Sequence, residues 1–350
     1  MVLPKPETGK RIGIGVASGW KNIGMTGLTD DRGGAIFELT ESGRVEVTIS
    51  AVEMGQGAQT AMAQIASEAT GIDYDRIDMI TGDTSVMMEW CQGTSQRQTI
   101  VVGNAVLKAG EKFRRRIFSL ASEFFDVPQD LIVWRGGALI EKEKGRKIGS
   151  LKELYRLAAQ RGLEVQAAFD YHAPRSFRLC ESPVYSSQNR EEIERRARED
   201  RYRNYVSYSY GAQIALVEVD EETGDVRVMK VIMAHDVGKA LNPKIIRGQL
   251  EGSVVMGVGY ALSEEFVMKD GLIITDDLGK CGIPRIQSIP DEVEYVLVEK
   301  PDPHGPFGAK GVSEAGLVQT APAITNAIFD ACGVRVKSLP VKRFHLHGKT

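Results

Sequence analysis

A pair of strands joined by a tight turn and followed by an apolar helix occurs twice in this chain, and this pattern limits the folds available to it. In the first occurrence, residues 35–52 (AIFELTESGRVEVTISAV) alternate between apolar and polar side chains on either side of Glu41-Ser-Gly43. Residues 58–70 (AQTAMAQIASEAT) then have the composition of a helix, and Gly71 stands where a helix commonly ends.

The second occurrence lies in the C-terminal half. Residues 205–220 and 226–235 read as strands joined at Glu222-Thr-Gly224, and 248–262 is an apolar helix rich in small residues. Hairpins and helices in mixed order favour an α+β fold over a doubly wound parallel sheet. We therefore predict two intertwined α+β subdomains with mixed sheets and hairpins.

The remaining segments complete this organisation. Further elements are predicted as strands at 11–18, 76–82 and 292–299, a hairpin at 131–139, and helices from 98 to about 125 and from 315 to 331. One domain is predicted to span 10–350, with halves of about 10–140 and 205–350. Residues 141–204 are dense in charge, which predicts a charged surface insert or arm, with docking of a partner subunit as the functional alternative.

Composition excludes several classes of function. The net charge of −3, with 26% charged residues, gives no indication of nucleic acid or of a membrane surface. No apolar run approaches the roughly 20 residues that span a bilayer, and residues 1–11 contain no apolar signal segment. The four cysteines show no CxxC spacing, so we expect reduced thiols in a cytoplasmic protein, with no zinc or iron–sulfur site.

The first loop of chemical interest is Met54-Gly-Gln-Gly57, which lies between a predicted strand and a predicted helix. This placement predicts free backbone N–H groups that point, with the positive end of the helix dipole, at a bound anion. Gln56 can donate and accept hydrogen bonds at once. The competing interpretation is a plain turn between a strand and a helix.

Two further loops precede predicted helices. Gly93-Thr-Ser-Gln-Arg97 offers hydroxyl, amide and guanidinium groups, although Thr94 and Ser95 are also good helix-capping residues. Gly308-Ala-Lys-Gly-Val-Ser-Glu314 places one carboxylate at the end of a glycine-bearing loop. Such a loop could hold an anionic cofactor and a catalytic base. The competing interpretation of Glu314 is an acid stabilised by a helix dipole, which does not exclude catalysis.

In this order and spacing, the three loops resemble the second molybdopterin-binding domain of the xanthine dehydrogenase/aldehyde oxidase family of molybdenum hydroxylases. The resemblance extends to Thr99–Val106, to Asp236–Pro243 and to Gly248-Gln-Leu-Glu-Gly252. It leaves about 139–205 without a counterpart. With Gly19–Gly27 close to the start of the chain, the sequence looks most like the medium molybdopterin subunit of nicotinate dehydrogenases.

The resemblance implies a molybdenum–molybdopterin cofactor, with the cytosine dinucleotide as one form, whose metal is held by the pterin dithiolene and not by protein ligands. It assigns Glu314 the role of general base beside the metal. Cofactor contacts are assigned to Met54, Gly55, Gln56 and Gly57, to Thr94, Ser95, Gln96 and Arg97, and to Gln249, Lys310, Gly311, Val312 and Ser313. Gln96 and Ser313 depart from the residues usual in the family.

The implied reaction is hydroxylation of an electron-poor carbon with water as the oxygen source, on a nicotinate- or purine-like heterocycle. Nothing in the sequence resembles the family's first molybdopterin domain, its 2Fe-2S clusters or its FAD domain. We therefore expect a heteromer with a second molybdopterin-binding chain, an iron–sulfur subunit and a flavin subunit, in which this chain alone is inactive. The alternatives are an aldehyde oxidoreductase subunit, a non-catalytic assembly subunit, and a nucleotide-binding α+β protein.

Overall fold

The computed structural model describes residues 6–26, 30–88, 92–176, 191 and 204–343. The chain divides into two units. The C-terminal unit contains Met1–Lys21, Tyr208–Lys300 and Val312–Thr350, and the N-terminal unit contains Asn22–Ser207 and Pro301–Gly311. Each unit is thus built from segments that are distant in sequence, as the predicted intertwining of two α+β subdomains requires.

Strands and helices occur in mixed order along the described chain. In order, the strands are β1 (Lys10–Ile23), β2 (Arg32–Leu39), β3 (Val45–Ile49), β4 (Ile77–Thr81), β5 (Ile132–Arg135), β6 (Ala138–Glu141), β7 (Arg146–Gly149), β8 (Gln166–His172), β9 (Ser207–Asp220), β10 (Val226–Asp236), β11 (Met268–Lys269), β12 (Leu272–Ile273) and β13 (Glu292–Val298). The helices are α1 (Ala58–Thr70), α2 (Arg97–Phe125), α3 (Leu151–Gln160), α4 (Pro243–Leu262), α5 (Ala315–Val318) and α6 (Thr320–Cys332). This mixture confirms the predicted α+β class.

The N-terminal unit is built on a sheet with strand order β4-β3-β2-β8, and a second, smaller sheet has the order β5-β6-β7. β2 pairs antiparallel with β3 around the predicted turn, and β3 pairs parallel with β4. Alternate side chains of β2 and β3 are buried, and α1 and α2 pack against this sheet. Phe37 of β2 contacts Phe113 of α2, with ring centroids 5.6 Å apart, so the sheet and the long helix share one apolar core.

The described part of 141–204 differs from the predicted surface insert. β7 belongs to the small sheet, and β8 pairs antiparallel with β2 along its whole length, so this segment is part of the fold. Between them α3 buries Leu151, Leu154 and Ala158 beneath its charged face. Because charged residues dominate the composition of the segment, this narrow apolar stripe is not apparent from the sequence. The rest of the predicted insert or arm, residues 177–190 and 192–203, lies outside the described residues.

The C-terminal unit is built on a sheet with strand order β1-β9-β10-β13, against which α4 and α6 pack. Close packing of β1 explains the glycines of Gly13-Ile-Gly15. A Cβ atom at Gly15 would lie 2.0 Å from the carbonyl oxygen of Ala323, and one at Gly13 would lie 2.1 Å from that of Ala327. Only glycine lets this strand approach the backbone of α6, so the motif serves packing.

The C-terminal helices differ from prediction in their limits. α4 begins at Pro243 because the Asn242 side chain accepts a hydrogen bond from the N–H of Ile245 at 3.0 Å. The single helix predicted at 315–331 is two helices, α5 and α6, separated at Gln319. Gly333 ends α6 in the left-handed conformation. Within the described ranges, no helix is both long and apolar enough to cross a membrane.

Candidate functional site

The Met54–Gly57 loop is folded around the carboxylate of Glu53, which was not among the site residues predicted from the sequence. The N–H groups of Gly55 and Gly57 donate to Glu53 Oε1 at 2.8 and 3.0 Å, and that of Gln59 donates to Oε2 at 2.9 Å. Two of these amides belong to the loop that was predicted to present free N–H groups to an anion. The protein's own carboxylate occupies that position, at the N-terminus of α1. An acidic residue just before a helix is the signal that could have indicated it.

Glu53 makes the stability of this loop dependent on pH. Burial would raise the pKa of the Glu53 carboxyl, but the backbone N–H donors outweigh burial and lower the pKa below its usual 4.5. A carboxyl with a lowered folded-state pKa stabilises the fold above its unfolded-state pKa. That contribution is lost as the pH falls through the folded-state value.

We therefore expect Glu53→Gln to lower the free energy of unfolding by about 1 kcal/mol at neutral pH, the usual effect of losing a helix cap. The difference should shrink as the pH falls below about 4.5 and through the lowered folded-state pKa, because the wild-type carboxyl is then protonated as well. Urea denaturation over a pH series measures this. Glu68→Gln, on the exposed face of the same helix, is the control. A difference between Glu53→Gln and wild type that stays constant down to acidic pH would contradict the account.

Gln56 and Gln98 form a pair of amide side chains beside this loop. Gln56 Oε1 accepts from the N–H of Met54 at 2.6 Å, and its Nε2 donates to Val52 O at 2.8 Å and to Gln98 Oε1 at 3.1 Å. Gln98 Nε2 is buried and has no hydrogen-bond partner among the described residues. Buried polar atoms are nearly always paired, so the unpaired Nε2 atom of Gln98 is an unused hydrogen-bond donor beside this loop. Gln98 was not among the cofactor contacts predicted from the sequence.

The loop before α2 is held in an unusual backbone conformation. Ser95 and Gln96 have φ angles of 49° and 53°, a left-handed region that residues other than glycine seldom occupy. Ser95 O accepts from the N–H of Gly24 at 3.0 Å. A Cβ atom at Gly311 would lie 2.2 Å from Gln96 O, so the loop that contains Gly311 packs directly on this one. The structure thus brings these predicted cofactor residues together in the N-terminal unit, with Thr94 exposed beside them.

Two cationic side chains predicted to contact a cofactor are engaged inside the protein. Arg97 is 2% exposed, and its guanidinium donates to Asp31 Oδ1 at 2.6 Å and to Gln92 O at 2.9 Å. The Lys310 side chain is 8% exposed, with its Nζ atom 3.9 Å from Asp302 Oδ2. The structure therefore gives both residues a role in stabilising their loops, and neither presents an exposed charge.

In the C-terminal unit, Glu314 directly precedes α5 with its side chain 43% exposed. Its Oε2 atom lies 2.7 Å from Lys21 Nζ on β1, and this ion pair was not predicted. The hydroxyl of Ser253 is within hydrogen-bond distance of Gln249 O, at 2.8 Å, and of Ser313 O, at 3.0 Å. The structure thus brings the predicted residues Gln249, Ser313 and Glu314 together, while Val312 is buried in the core of the unit.

His235 is fully buried at the end of β10, and neither of its ring nitrogens has a hydrogen-bond partner among the described residues. Burial lowers the pKa of His235 to about 4, against the opposing effect of the Asp236 carboxylate. The ring is therefore neutral at physiological pH. No group of three or more His, Cys, Asp or Glu side chains within the described ranges could hold a metal ion.

Comparison with known proteins gives these loops a context. The solved structure of the aldehyde oxidoreductase from Desulfovibrio desulfuricans matches with a TM-score of 0.71 and 28% identity, and the match covers 97% of this chain and 32% of that one. This chain therefore has the fold of the matched part of that molybdenum hydroxylase, as the sequence resemblance implied.

A family model described as the molybdopterin cofactor-binding domain matches residues 4–290. The chain belongs to this family. It is 31% identical, over 95% of its length, to the gamma subunit of the 6-hydroxypseudooxynicotine dehydrogenase complex of Paenarthrobacter nicotinovorans. It is 29% identical, over 90% of its length, to a probable xanthine dehydrogenase subunit of Bacillus subtilis. The chain spans about two fifths of each relative, 39% in both cases.

Proposed function

We propose that this chain supplies the second molybdopterin-binding domain of a multisubunit molybdenum hydroxylase, and that Glu314 is its catalytic base. The observation that carries the proposal is the partly exposed Glu314 carboxylate, which is paired with Lys21 at the end of a loop held by other side chains. A base must be reachable by substrate and fixed in orientation. The 43% exposure of the Glu314 side chain and its ion pair with Lys21 support these two conditions.

The side chains of the N-terminal unit fit the pterin part of the cofactor. The buried, unpaired Nε2 atom of Gln98 supports this most directly, because a pterin and its phosphate are rich in hydrogen-bond acceptors. Gln56 orients Gln98 by donating to its Oε1 atom. When bound, the molybdenum cofactor supplies the two-electron redox chemistry. In this proposal Gln56 and Gln98 hold the pterin, Glu314 accepts a proton at its carboxylate, and Lys21 fixes the orientation of that carboxylate.

The substrate is proposed to be an N-heterocycle, hydroxylated at an electron-poor carbon with oxygen from water. The names of two relatives support this, since 6-hydroxypseudooxynicotine and xanthine both contain nitrogen heterocycles. The similarity to an aldehyde oxidoreductase structure favours aldehyde oxidation as a second candidate. A cytosine dinucleotide form of the cofactor, partner chains that carry a second molybdopterin domain, 2Fe-2S clusters and FAD, and a cytoplasmic location remain parts of the proposal.

The two candidate activities can be separated with the native complex, purified through a tag on this chain. Nicotinate, hypoxanthine and benzaldehyde would each be supplied with a dye acceptor in water labelled with oxygen-18. We expect oxidation of a heterocycle, with the label in its new hydroxyl or oxo group. Oxidation of benzaldehyde alone would favour the aldehyde candidate, and heterocycle oxidation without label would contradict the proposal.

A further inference from the structure

The segment that follows Glu314 is held from β9 by a buried amide. Gln213 Nε2 donates to Gly316 O at 2.5 Å, and Gln213 Oε1 accepts from the hydroxyl of Thr320 at 2.8 Å. The same hydroxyl lies 3.2 Å from Gly316 O. Gln213 and Thr320 are both fully buried. The carbonyl two residues after Glu314 is thus fixed to the central sheet of the C-terminal unit.

A glutamine is unusual at the position of Gln213, where β9 contributes to an apolar core. Its neighbours on the same face of β9, Ala215 and Val217, belong to the apolar core, where burying an amide is unfavourable unless it is paired. Here both the donor and the acceptor of Gln213 are paired, with groups that flank the break between α5 and α6. A helix as short as α5, with four residues, has little stability of its own. The hydrogen bonds of Gln213 therefore stabilise α5, which is too short to be stable by itself.

A second contact holds the same segment from α4. The Ser253 hydroxyl lies 3.0 Å from Ser313 O, the carbonyl immediately before Glu314. A Cβ atom at Gly316 would lie 2.8 Å from the Cβ atom of Ser253, so the loop and α4 approach more closely than a larger residue would allow. The carbonyls of residues 313 and 316, on either side of Glu314, are thus held by two different elements of one unit.

We propose that Gln213 and Ser253 are positioning residues, which fix the backbone on both sides of Glu314 and thereby aim its carboxylate. The inference rests on the proposed function, in which Glu314 is the base. Neither side chain needs to touch substrate or cofactor for this role. Because rates of proton transfer depend steeply on geometry, a small displacement of the base lowers turnover by about 10²-fold without weakening substrate binding.

Gln213→Met tests this in the native complex, because methionine keeps the volume of glutamine but has no amide. We expect kcat for whichever of nicotinate, hypoxanthine or benzaldehyde is oxidised to fall by about 10- to 100-fold. KM and molybdenum content should stay within about twofold of wild type, since substrate and cofactor contacts are unchanged. Hydrogen exchange at the amides of 314–318 should become faster, and this readout requires no substrate.

Ser209→Ala is the matched control, since the Ser209 hydroxyl on the same strand donates to Asp236 O and not to the loop. Ser253→Ala removes the hydroxyl contact that α4 makes with the same loop. The proposal can therefore still be tested if Gln213→Met does not fold. Unchanged kcat and unchanged exchange in Gln213→Met or in Ser253→Ala would overturn the proposal, and so would an equal loss of kcat in Ser209→Ala.

Glu314→Gln is assayed in parallel. Full activity of that variant would refute the proposed function itself, whereas an inactive Glu314→Gln beside a fully active Gln213→Met would refute only the positioning role.

Discussion

Replacement of Glu314 by glutamine is expected to lower the turnover of the native complex by about 10²–10⁴-fold, because glutamine keeps the size of the side chain but cannot accept a proton. The fold should be little affected. The ion pair with Lys21 is partly exposed, and such pairs contribute at most about 1 kcal/mol. Steady-state kcat, measured with nicotinate, hypoxanthine and benzaldehyde, and normalised to molybdenum content, tests this.

Glu265→Gln is the matched control for the first prediction. Its carboxylate also pairs with a lysine of the same unit, Lys342, and its side chain is 46% exposed, close to the 43% of Glu314. We expect this variant to keep wild-type turnover. Equal activity in the two variants would show that Glu314 is not the base, whatever the family resemblance implies.

Replacement of Arg97 by methionine is expected to lower the free energy of unfolding by about 3–5 kcal/mol. The substitution would leave the Asp31 carboxylate, only 4% exposed, without its guanidinium partner in the core of the N-terminal unit. It would also remove the guanidinium N–H that donates a hydrogen bond to Gln92 O. Urea denaturation of the cofactor-free protein measures the effect, since a role in cofactor binding alone would not change its stability.

Arg44→Met is the control for the second prediction, because Arg44 pairs with Asp78 at the surface of the same unit and both side chains are more than 40% exposed. Its effect should be below about 1 kcal/mol. The double variant Arg97→Met/Asp31→Leu should recover much of the loss, since it removes the buried charge as well. Equally small losses of unfolding free energy in Arg97→Met and Arg44→Met would contradict this structural role. They would favour the prediction that Arg97 contacts the cofactor.

Features that depend on local sequence were predictable in this chain. α1 was predicted with its observed limits, because an apolar run is followed at once by Gly71, which adopts the left-handed conformation that ends a helix. The hairpin of β9 and β10 was predicted for the same reason, since alternating residues flank a polar turn that contains Gly224. In each case the side chains that decide the structure lie within a few residues of one another.

Features that depend on distant partners were not predictable. The break at Gln319 is held by Gln213, and β8 pairs with β2 although a long stretch of chain separates the two strands. The pairing of Lys21 with Glu314 joins the two ends of the sequence. The three loops could be recognised as chemically important, but the sequence could not tell which of their polar groups the fold itself would use. Arg97 and the amides that donate to Glu53 are used in this way.

The molybdenum content of the native complex, purified through a tag on this chain, tests the central claim most directly. Metal analysis would be combined with identification of the chains that co-purify. The account predicts near-stoichiometric molybdenum together with a second molybdopterin-binding chain. A preparation without molybdenum, which neither co-purifies with such a chain nor takes up the cofactor on reconstitution, would contradict it and favour the non-catalytic assembly subunit.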